Sequence, residues 1–506
     1  MSNSGSAKRL AKNTVFMYVR MILLLSITLY TSRVIISALG IDDYGIFNVV
    51  GSIVVMFNSL RAIFASSIQR FLSYEMGKGN DDKLLVIYNT SIRINTIVAV
   101  VLFFLAEALG LWFLNTHINI EPDRLFAAHV VLQFSIIIAM IGVFTTSFDA
   151  VVIAHERMDF YAYLSILEAV LKLIVAFAVT YIVADKLIVY GALLLVTSCI
   201  IISVDYIFCR SQFKEVRLAK VWDKDVFKEM TKFAGWNFFG NTAFSFSQNG
   251  LNMVLNVFGG PAVNAARGIA IQINTALSQV LSNIAIVIKP FCIKTFAEGN
   301  LERTYQIVYL SSKLYFTVQL TIAAFFSFFA SELVNLWLGQ IPQYVIGFVT
   351  IILWHSCVRS LHDPIDILFY AYGDLKYYQL CEGIVLSLPV LAAYILLSLD
   401  FSFNTVFVGV VIFEIINLFC ILQIAQKKCS LPFRYYSIHV LVPCAISFIL
   451  YIAGFFLFHN ESSILIKLLM LVVTWGVCVI SMWIVGFNKE EKELLFNTIK
   501  QLRHKK

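Results

Sequence analysis

The stretch VFMYVRMILLLSITLYTSRVIISAL, Val15 to Leu39, is apolar apart from a few hydroxyls and two arginines, Arg20 and Arg33. A helix needs about 20 mostly apolar residues to cross a bilayer, and this stretch is long enough. It is too long for the apolar core of a signal peptide and has no A-x-A cleavage site. It therefore reads as a retained first span behind the polar start, Met1 to Asn13. Similar segments follow between short polar breaks along almost the whole chain. Fourteen can be marked, with limits near 14–39, 45–67, 86–113, 125–150, 160–184, 187–209, 233–258, 263–288, 305–331, 342–369, 376–399, 402–425, 435–458 and 463–487. The expected fold is an all-α polytopic membrane protein.

Composition agrees with that reading. Of 506 residues, 59% are hydrophobic and 14% charged, with a mean hydropathy of +0.82, whereas soluble proteins carry about 25% charged residues. The net charge of +7 is spread over short loops and does not form the basic face that nucleic acid needs. With the N-terminus placed inside, the inner segments hold 27 of the 38 Lys and Arg residues, and the outer ones hold Arg124, Lys186 and Lys467. The positive-inside rule then puts both termini in the cytoplasm. The nine cysteines contain no C-x-x-C pair and give neither a disulfide framework nor a metal site.

The sequence also repeats. A shift of 220 residues aligns Phe71, Gly79, Asn80, Asp82 and Lys83 with Phe291, Gly299, Asn300, Glu302 and Arg303. Leu111-Trp112 and Leu336-Trp337 both fall at the outer end of a third span. Six spans is an even number, so the two halves enter the membrane with the same orientation, as parallel repeats. The expected organisation is an N-lobe over 1–210, a cytoplasmic connector over 211–232, a C-lobe over 233–426, two added spans over 427–487 and a cytoplasmic tail over 488–506. In the tail, Leu494, Leu495, Phe496 and Ile499 beside Lys500 and Arg503 suit a helix on the inner surface.

Eight cations fall inside spans: Arg20, Arg33, Arg61, Arg93, Lys172, Arg267, Lys313 and Arg359. Each costs about 2.5–3.5 kcal/mol at a helix centre on insertion scales, so the set needs water, partners or a ligand. Arg20, Arg93 and Lys313 lie near inner ends, from which they can reach the headgroups. Lys172 follows Glu168 by one turn, the favourable order for an ion pair. At about 100° per residue, Arg20 and Arg33 point roughly 140° apart, so both cannot comfortably serve one cleft. Arg33, Arg61 and Arg267 remain as candidate substrate cations. Gly51, Asn58, Arg61 and Ala65 share a face of span 2, and Arg267, Asn274, Ser278 and Ser282 share a face of span 8. Span 7 carries Asn237, Asn241, Ser245, Gln248, Asn252 and Asn256 on one face, either lining a cleft or bonding to neighbouring helices. Span 10 places His355, Arg359, His362, Asp363 and Asp366 around Pro364. Such a group can relay protons or hold a coupling ion, or form a mutually satisfied cluster. Glu107, Asp149, Asp205, Glu382 and Glu414 are the acids available to partner these cations.

The stretches KNTVFMYVRM (Lys12 to Met21), LYTSRVIISALGIDDYGIFNVVG (Leu29 to Gly51) and SSIQRFL (Ser66 to Leu72) resemble the bacterial polysaccharide-biosynthesis flippases. These are the O-antigen and capsular exporters of the multidrug/oligosaccharidyl-lipid/polysaccharide superfamily. The resemblance implies a MATE-like fold, with two six-helix lobes in a V around a central cavity, and an alternating-access flippase in the bacterial inner membrane. Its cargo would be a polyprenyl-pyrophosphate-linked glycan. In the related flippase for the peptidoglycan lipid precursor, arginines on spans 1, 2 and 8 engage the diphosphate, which by span and chemistry points here to Arg33 or Arg20, Arg61 and Arg267. It also implies that spans 13 and 14 line a groove for the lipid tail.

The substrate-binding set expected from these readings is Arg33, Arg61 and Arg267 for pyrophosphate, with Asn237, Asn241, Gln248 and Asn252 for sugar hydroxyls. The expected partners are the lipid-linked glycan, membrane lipid, H+ or Na+ as coupling ion, and polysaccharide polymerase machinery. The alternative is a cation-coupled drug antiporter on the same fold, a function that favours acidic and aromatic cavity residues. A membrane enzyme needs a sizeable outer loop or soluble domain presenting carboxylates or a metal, and no G-x-x-x-x-G-K-[ST] or H-E-x-x-H motif occurs. No enzymatic activity or cofactor is expected.

Overall fold

In lipid every backbone polar group must find its partner within the chain, which leaves helices for runs of Leu, Ile, Val and Phe. A computed structural model describes residues 3–40, 43–44, 46–47, 58–116, 122–338, 341–458, 463–488 and 491–492, and among these there is no strand. Fourteen long helices carry the numbers of the expected spans. They are α1 (Asn3–Leu39), α2 (Asn58–Lys78), α3 (Asp81–Thr116), α4 (Pro122–Ala154), α5 (Met158–Tyr181), α6 (Lys186–Gln212), α7 (residues 224–259) and α8 (residues 261–297). After them come α9 (Leu301–Phe328), α10 (Val345–Tyr372), α11 (Lys376–Ser398), α12 (Phe403–Cys429), α13 (Phe433–Phe458) and α14 (Ile464–Gly486). A short helix, Ala330–Leu338, follows α9. Gly260, at φ 68° and ψ −168°, separates α7 from α8.

Twelve of these helices are long and apolar enough to cross a membrane. The two that fall short are α2 and α7, the helices with Arg61, Gln69, Arg70 and Glu75 or with the amide stripe. Their polar faces lower the hydropathy of both segments. The chain is an all-α, multi-pass membrane protein.

Contacts group the chain into two compact units, residues 10–235 and residues 1–9 with 236–506. In the first, α4 is central and packs on α2, α3 and α6. Ala127, Ala128, Val131, Leu132 and Ile136 of α4 meet Ala106 and Leu114 of α3 and Leu187 of α6. Arg124 at the start of α4 pairs with Asp43 and, at 2.7 Å, with Asp185. Asp185 also caps α6 by accepting from the Leu187 and Ile188 amides. The irregular connector is shorter than expected, because α7 begins at Lys224. Its Phe213 and Val216 are buried. Asn89 of α3 donates to the Arg217 carbonyl and accepts from the Ala219 amide, while Arg93 stacks on Trp222. An arginine expected at the headgroups is thus held by the connector.

In the second unit α10 lies between α9 and α12, and α11 packs on α12. α13 and α14 pack on each other and on α9. The crevice between α9 and that pair measures about 10 Å³, room for one water molecule at most. Lys313 does not reach for headgroups, since its ammonium lies 2.8 Å from both oxygens of Glu491. Asn488 and Glu491 cap each other's amides at the start of the tail. The tail's apolar residues, 494–499, lie outside the described residues, as does Gly51.

The repeated motif builds the same turn twice. Gly79 (φ 72°) and Gly299 (φ 81°) occupy the left-handed position that ends a helix. The Asn80 amide reaches back to the Glu75 carbonyl at 3.0 Å, and the Asn300 amide to the Thr295 carbonyl at 3.3 Å. Each asparagine then starts the next helix, α3 or α9.

Candidate functional site

The first unit contains a cavity of about 450 Å³, within the range of small-molecule sites. α1 lines it with Arg20, Leu24, Ile27, Thr28, Thr31 and Ile35, which recur every three or four residues and so share one face. α2 contributes Arg61, α4 contributes Thr145 and Asp149, and α5 contributes Tyr161, Ser165, Glu168 and Lys172. Tyr44, Phe47 and Tyr190 close the apolar side.

Three cations therefore face two carboxylates. Lys172 is committed to Glu168 at 2.6 Å, the ion pair expected from their spacing. Arg61 meets Asp149 through one contact at 3.5 Å, the outer limit of a hydrogen bond. A Cβ at Gly142 would come within 3.1 Å of Arg61 Nη1, so the absent side chain gives that guanidinium its room. Arg20 interacts electrostatically with the same Asp149 and adds no carboxylate of its own among the described residues. Its guanidinium lies 4.9 Å from the centre of the Tyr161 ring, and its buried Nε has no hydrogen-bond partner. Arg33 is exposed and does not line the cavity. This matches the divergence of the two side chains on α1.

Arg267 behaves differently. It is 2% exposed and held by the α7 stripe. Its Nη1 donates to Asn252 Oδ1, and its Nη2 donates to Gln248 Oε1 at 2.6 Å and to the Gln248 carbonyl at 3.2 Å. Asn237 accepts from the Tyr370 hydroxyl at 3.0 Å and from Asn241, and Asn274 accepts from Ser356 at 2.6 Å. Much of the polar stripe on α7 and α8 thus joins helix to helix, while Asn241, Ser245 and Asn256 remain exposed.

The span 10 residues come together with acids from two neighbouring helices. Arg359 Nη1 lies 2.6 Å from Glu382 of α11 and 3.4 Å from Glu414 of α12, and its other nitrogens lie 3.3 Å from Asp363 and 3.7 Å from Asp366. His362, with a fully buried side chain, is 3.2 Å from Asp366 and 3.6 Å from Glu414, and His355 is 3.5 Å from Glu414. The sequence did not single out Lys289 of α8, which lies just past the expected limit of span 8. Its ammonium sits 3.6 Å from the centre of the Tyr370 ring and interacts electrostatically with Asp366. Four carboxylates therefore share two cations and two imidazoles. Buried charge in excess of its partners is expensive, so bound protons or a cation would relieve this group. Both ring nitrogens of His362, Asp366 Oδ1 and both polar atoms of Asn417 are buried without a well-formed hydrogen bond. No group of three or more His, Cys, Asp or Glu side chains among the described residues is arranged to hold a metal ion.

The remaining acids divide. Asp149, Glu382 and Glu414 partner cations as expected, whereas Glu107 accepts from Gln133 at 3.1 Å and buried Asp205 accepts a Cys209 thiol contact at 3.8 Å and interacts electrostatically with Arg61.

No protein-family model matches the sequence, and no curated protein matches it either. Solved structures do. A point mutant of a MATE protein superposes with a TM-score of 0.71 at 16% identity, over 85% of this chain and 99% of that one. A MOP superfamily transporter from Pyrococcus furiosus, described as having a binding pocket of reverse polarity that suggests a different function, gives 0.69 at 16% identity over the same shares. An outward-facing multidrug resistance MATE family transporter gives 0.70 at 15% identity, again over 85% and 99%. At such identities the likeness is one of fold, and the fold is MATE-like.

Proposed function

We propose that this chain is a flippase that moves a polyprenyl-pyrophosphate-linked oligosaccharide from the cytoplasmic to the outer leaflet of a bacterial inner membrane, for export of a surface polysaccharide. The observation that carries this reading is the charge balance of the cavity in residues 10–235, where Arg20 and Arg61 share one carboxylate, Asp149, and Arg61 meets it through a single long contact. Guanidiniums so placed can donate charge-assisted, paired hydrogen bonds to phosphate oxygens. Arg359, enclosed by four carboxylates, cannot. The working pair is therefore Arg20 and Arg61, with Arg33 and the caged Arg267 secondary. Thr28, Thr31, Thr145 and Ser165 offer hydroxyls to the glycan beside them. Exposed α7 residues such as Asn241 suit more distal sugars.

The carboxylate-rich group on α10, α11 and α12 is the coupling site in this reading. Imidazole beside carboxylate favours H+ over Na+ as the driving ion. The chain is a transporter and not an enzyme, and both termini are cytoplasmic.

A cation-coupled drug antiporter on the same fold is the second reading, favoured by Asp149, Glu168 and three tyrosines in the cavity. In a structural neighbour a binding pocket of reverse polarity is described as suggesting a different function, so cavity charge is the property to test. In cells, Arg20→Ala or Arg61→Ala is expected to slow appearance of the glycan in the outer leaflet roughly tenfold to a hundredfold, from the loss of about 1.5–3 kcal/mol per hydrogen bond to a charged group. Arg33→Ala is expected to transport normally. Normal flipping in both cavity variants, with raised sensitivity to ethidium, would overturn the flippase in favour of the antiporter.

A further inference from the structure

α13 and α14 lie outside the six-span repeat; they pack on each other and on α9, and two tyrosines of α13 reach past α9 to α10. Tyr436 and Tyr451 of α13 are both fully buried. The Tyr451 hydroxyl lies 2.6 Å from Ser327 Oγ of α9 and accepts from Trp354 Nε1 of α10 at 3.2 Å. The Tyr436 hydroxyl lies 2.9 Å from Ser312 Oγ of α9 and donates to the Leu361 carbonyl of α10 at 3.0 Å. The two tyrosine-serine pairs share an offset of 124 residues, so α13 runs parallel to α9 in fixed register. Ion pairs hold the same elements near both ends, Lys313 with Glu491 and Lys467 of α14 with Glu332 of the short helix, the latter at 2.6 Å.

Leu361 occupies a special turn. Pro364 has no N–H to offer the Ser360 carbonyl and crowds it, which opens the helix at this point. The bond from Tyr436 supports the opened turn from outside, one residue before His362. The charged groups facing that turn are His355, Arg359, Asp363 and Asp366 of α10, Glu382 and the Tyr378 hydroxyl of α11, Glu414 of α12 and Lys289 of α8.

We infer that the α13–α14 pair braces the coupling helix, and that Tyr436 is a positioning residue that holds the kinked turn of α10 so that His362 stays packed between Asp366 and Glu414. The inference rests on the reading of this group as the coupling site. Without the hydroxyl the turn loosens, water reaches the carboxylates, and their hold on a proton weakens.

The test is the unfolding temperature of the purified full-length protein in detergent between pH 5 and 8. The wild type should show a pH-dependent step that Asp366→Asn removes. Tyr436→Phe should move the midpoint of that step down by about one pH unit, a tenfold loss of proton affinity. Ser312→Ala should move it less in the same direction, and serves alone if Tyr436→Phe does not fold. Tyr451→Phe, which loosens the far end of the brace, should lower the unfolding temperature and leave the midpoint in place. A step removed by Asp366→Asn but unmoved in both Tyr436→Phe and Ser312→Ala overturns the brace and leaves the coupling site standing. A wild type with no such step overturns the coupling site, and the brace with it.

Discussion

Three arginines inside the membrane show how far environment outweighs residue type. Arg61 has one carboxylate at 3.5 Å, Arg267 only amide and carbonyl oxygens, and Arg359 four carboxylates. Removing Arg359 would leave four carboxylates with Lys289 and two imidazoles, and breaking a buried pair typically costs about 3–5 kcal/mol. Its place is structural and electrostatic, whereas Arg61 can exchange its weak contact for a ligand. The connector holds an ion pair outside the membrane-spanning helices. His155 Nε2 lies 2.6 Å from Glu215 Oε1, and its ring stacks on Phe213. Burial pushes the Glu215 carboxyl up, but the His155 hydrogen bond, a backbone hydrogen bond and the imidazole's charge together hold it below the usual carboxylate range. A depressed acid stabilises the fold above its unfolded value, near pH 4.3, and that stability is lost as pH falls through the folded value. Glu215→Gln is therefore expected to lower stability by about 1 kcal/mol at pH 7. Thermal unfolding of the two proteins should converge below about pH 4, and an equal gap at both pH values would refute the pairing.

Among the helices, what the sequence discloses depends on whether the signal is local. Most spans were legible because lipid demands length and apolarity of each segment by itself, whereas the helix of span 2, expected to end near residue 67, runs on to Lys78. Gly79 and Gly299 were legible as equivalent points of a repeat, and the structure shows why that pair recurs: each ends a helix at positive φ. Neither has an atom within 4 Å of where a Cβ would stand, so only backbone strain opposes a side chain. Gly79→Ala and Gly299→Ala should each cost about 1–2 kcal/mol, and Gly79→Asn, a residue that tolerates this conformation, should cost less in the same unfolding measurement. Helix rotation was less legible. Arg20 resembled a residue reaching for headgroups until α5 placed Tyr161 and Lys172 around the same space. Asn252 resembled a sugar ligand until α8 placed Arg267 against it. Lys289 escaped notice because its partner Asp366 lies 77 positions away, on a helix whose rotation no local pattern fixes.

At the scale of the molecule the two units hold polar groups of opposite charge balance. Residues 10–235 enclose a cavity with three cations and two carboxylates, while residues 236–506 enclose four carboxylates with two cations. One suits an anionic cargo and the other a proton, an arrangement in which cargo and driving ion act at two distinct sites and are coupled through the fold. The two effects should then separate by mutation. Inorganic pyrophosphate, as a probe of the first site, should raise the unfolding temperature of the wild type by the mass-action relation for a ligand that binds the folded state. Arg20→Ala should abolish that rise and keep the pH-dependent step, whereas Asp366→Asn should keep the rise and lose the step. If Arg20→Ala erased both responses, or Asp366→Asn removed the pyrophosphate effect at every pH, the two units would share one site and the division of labour would be wrong.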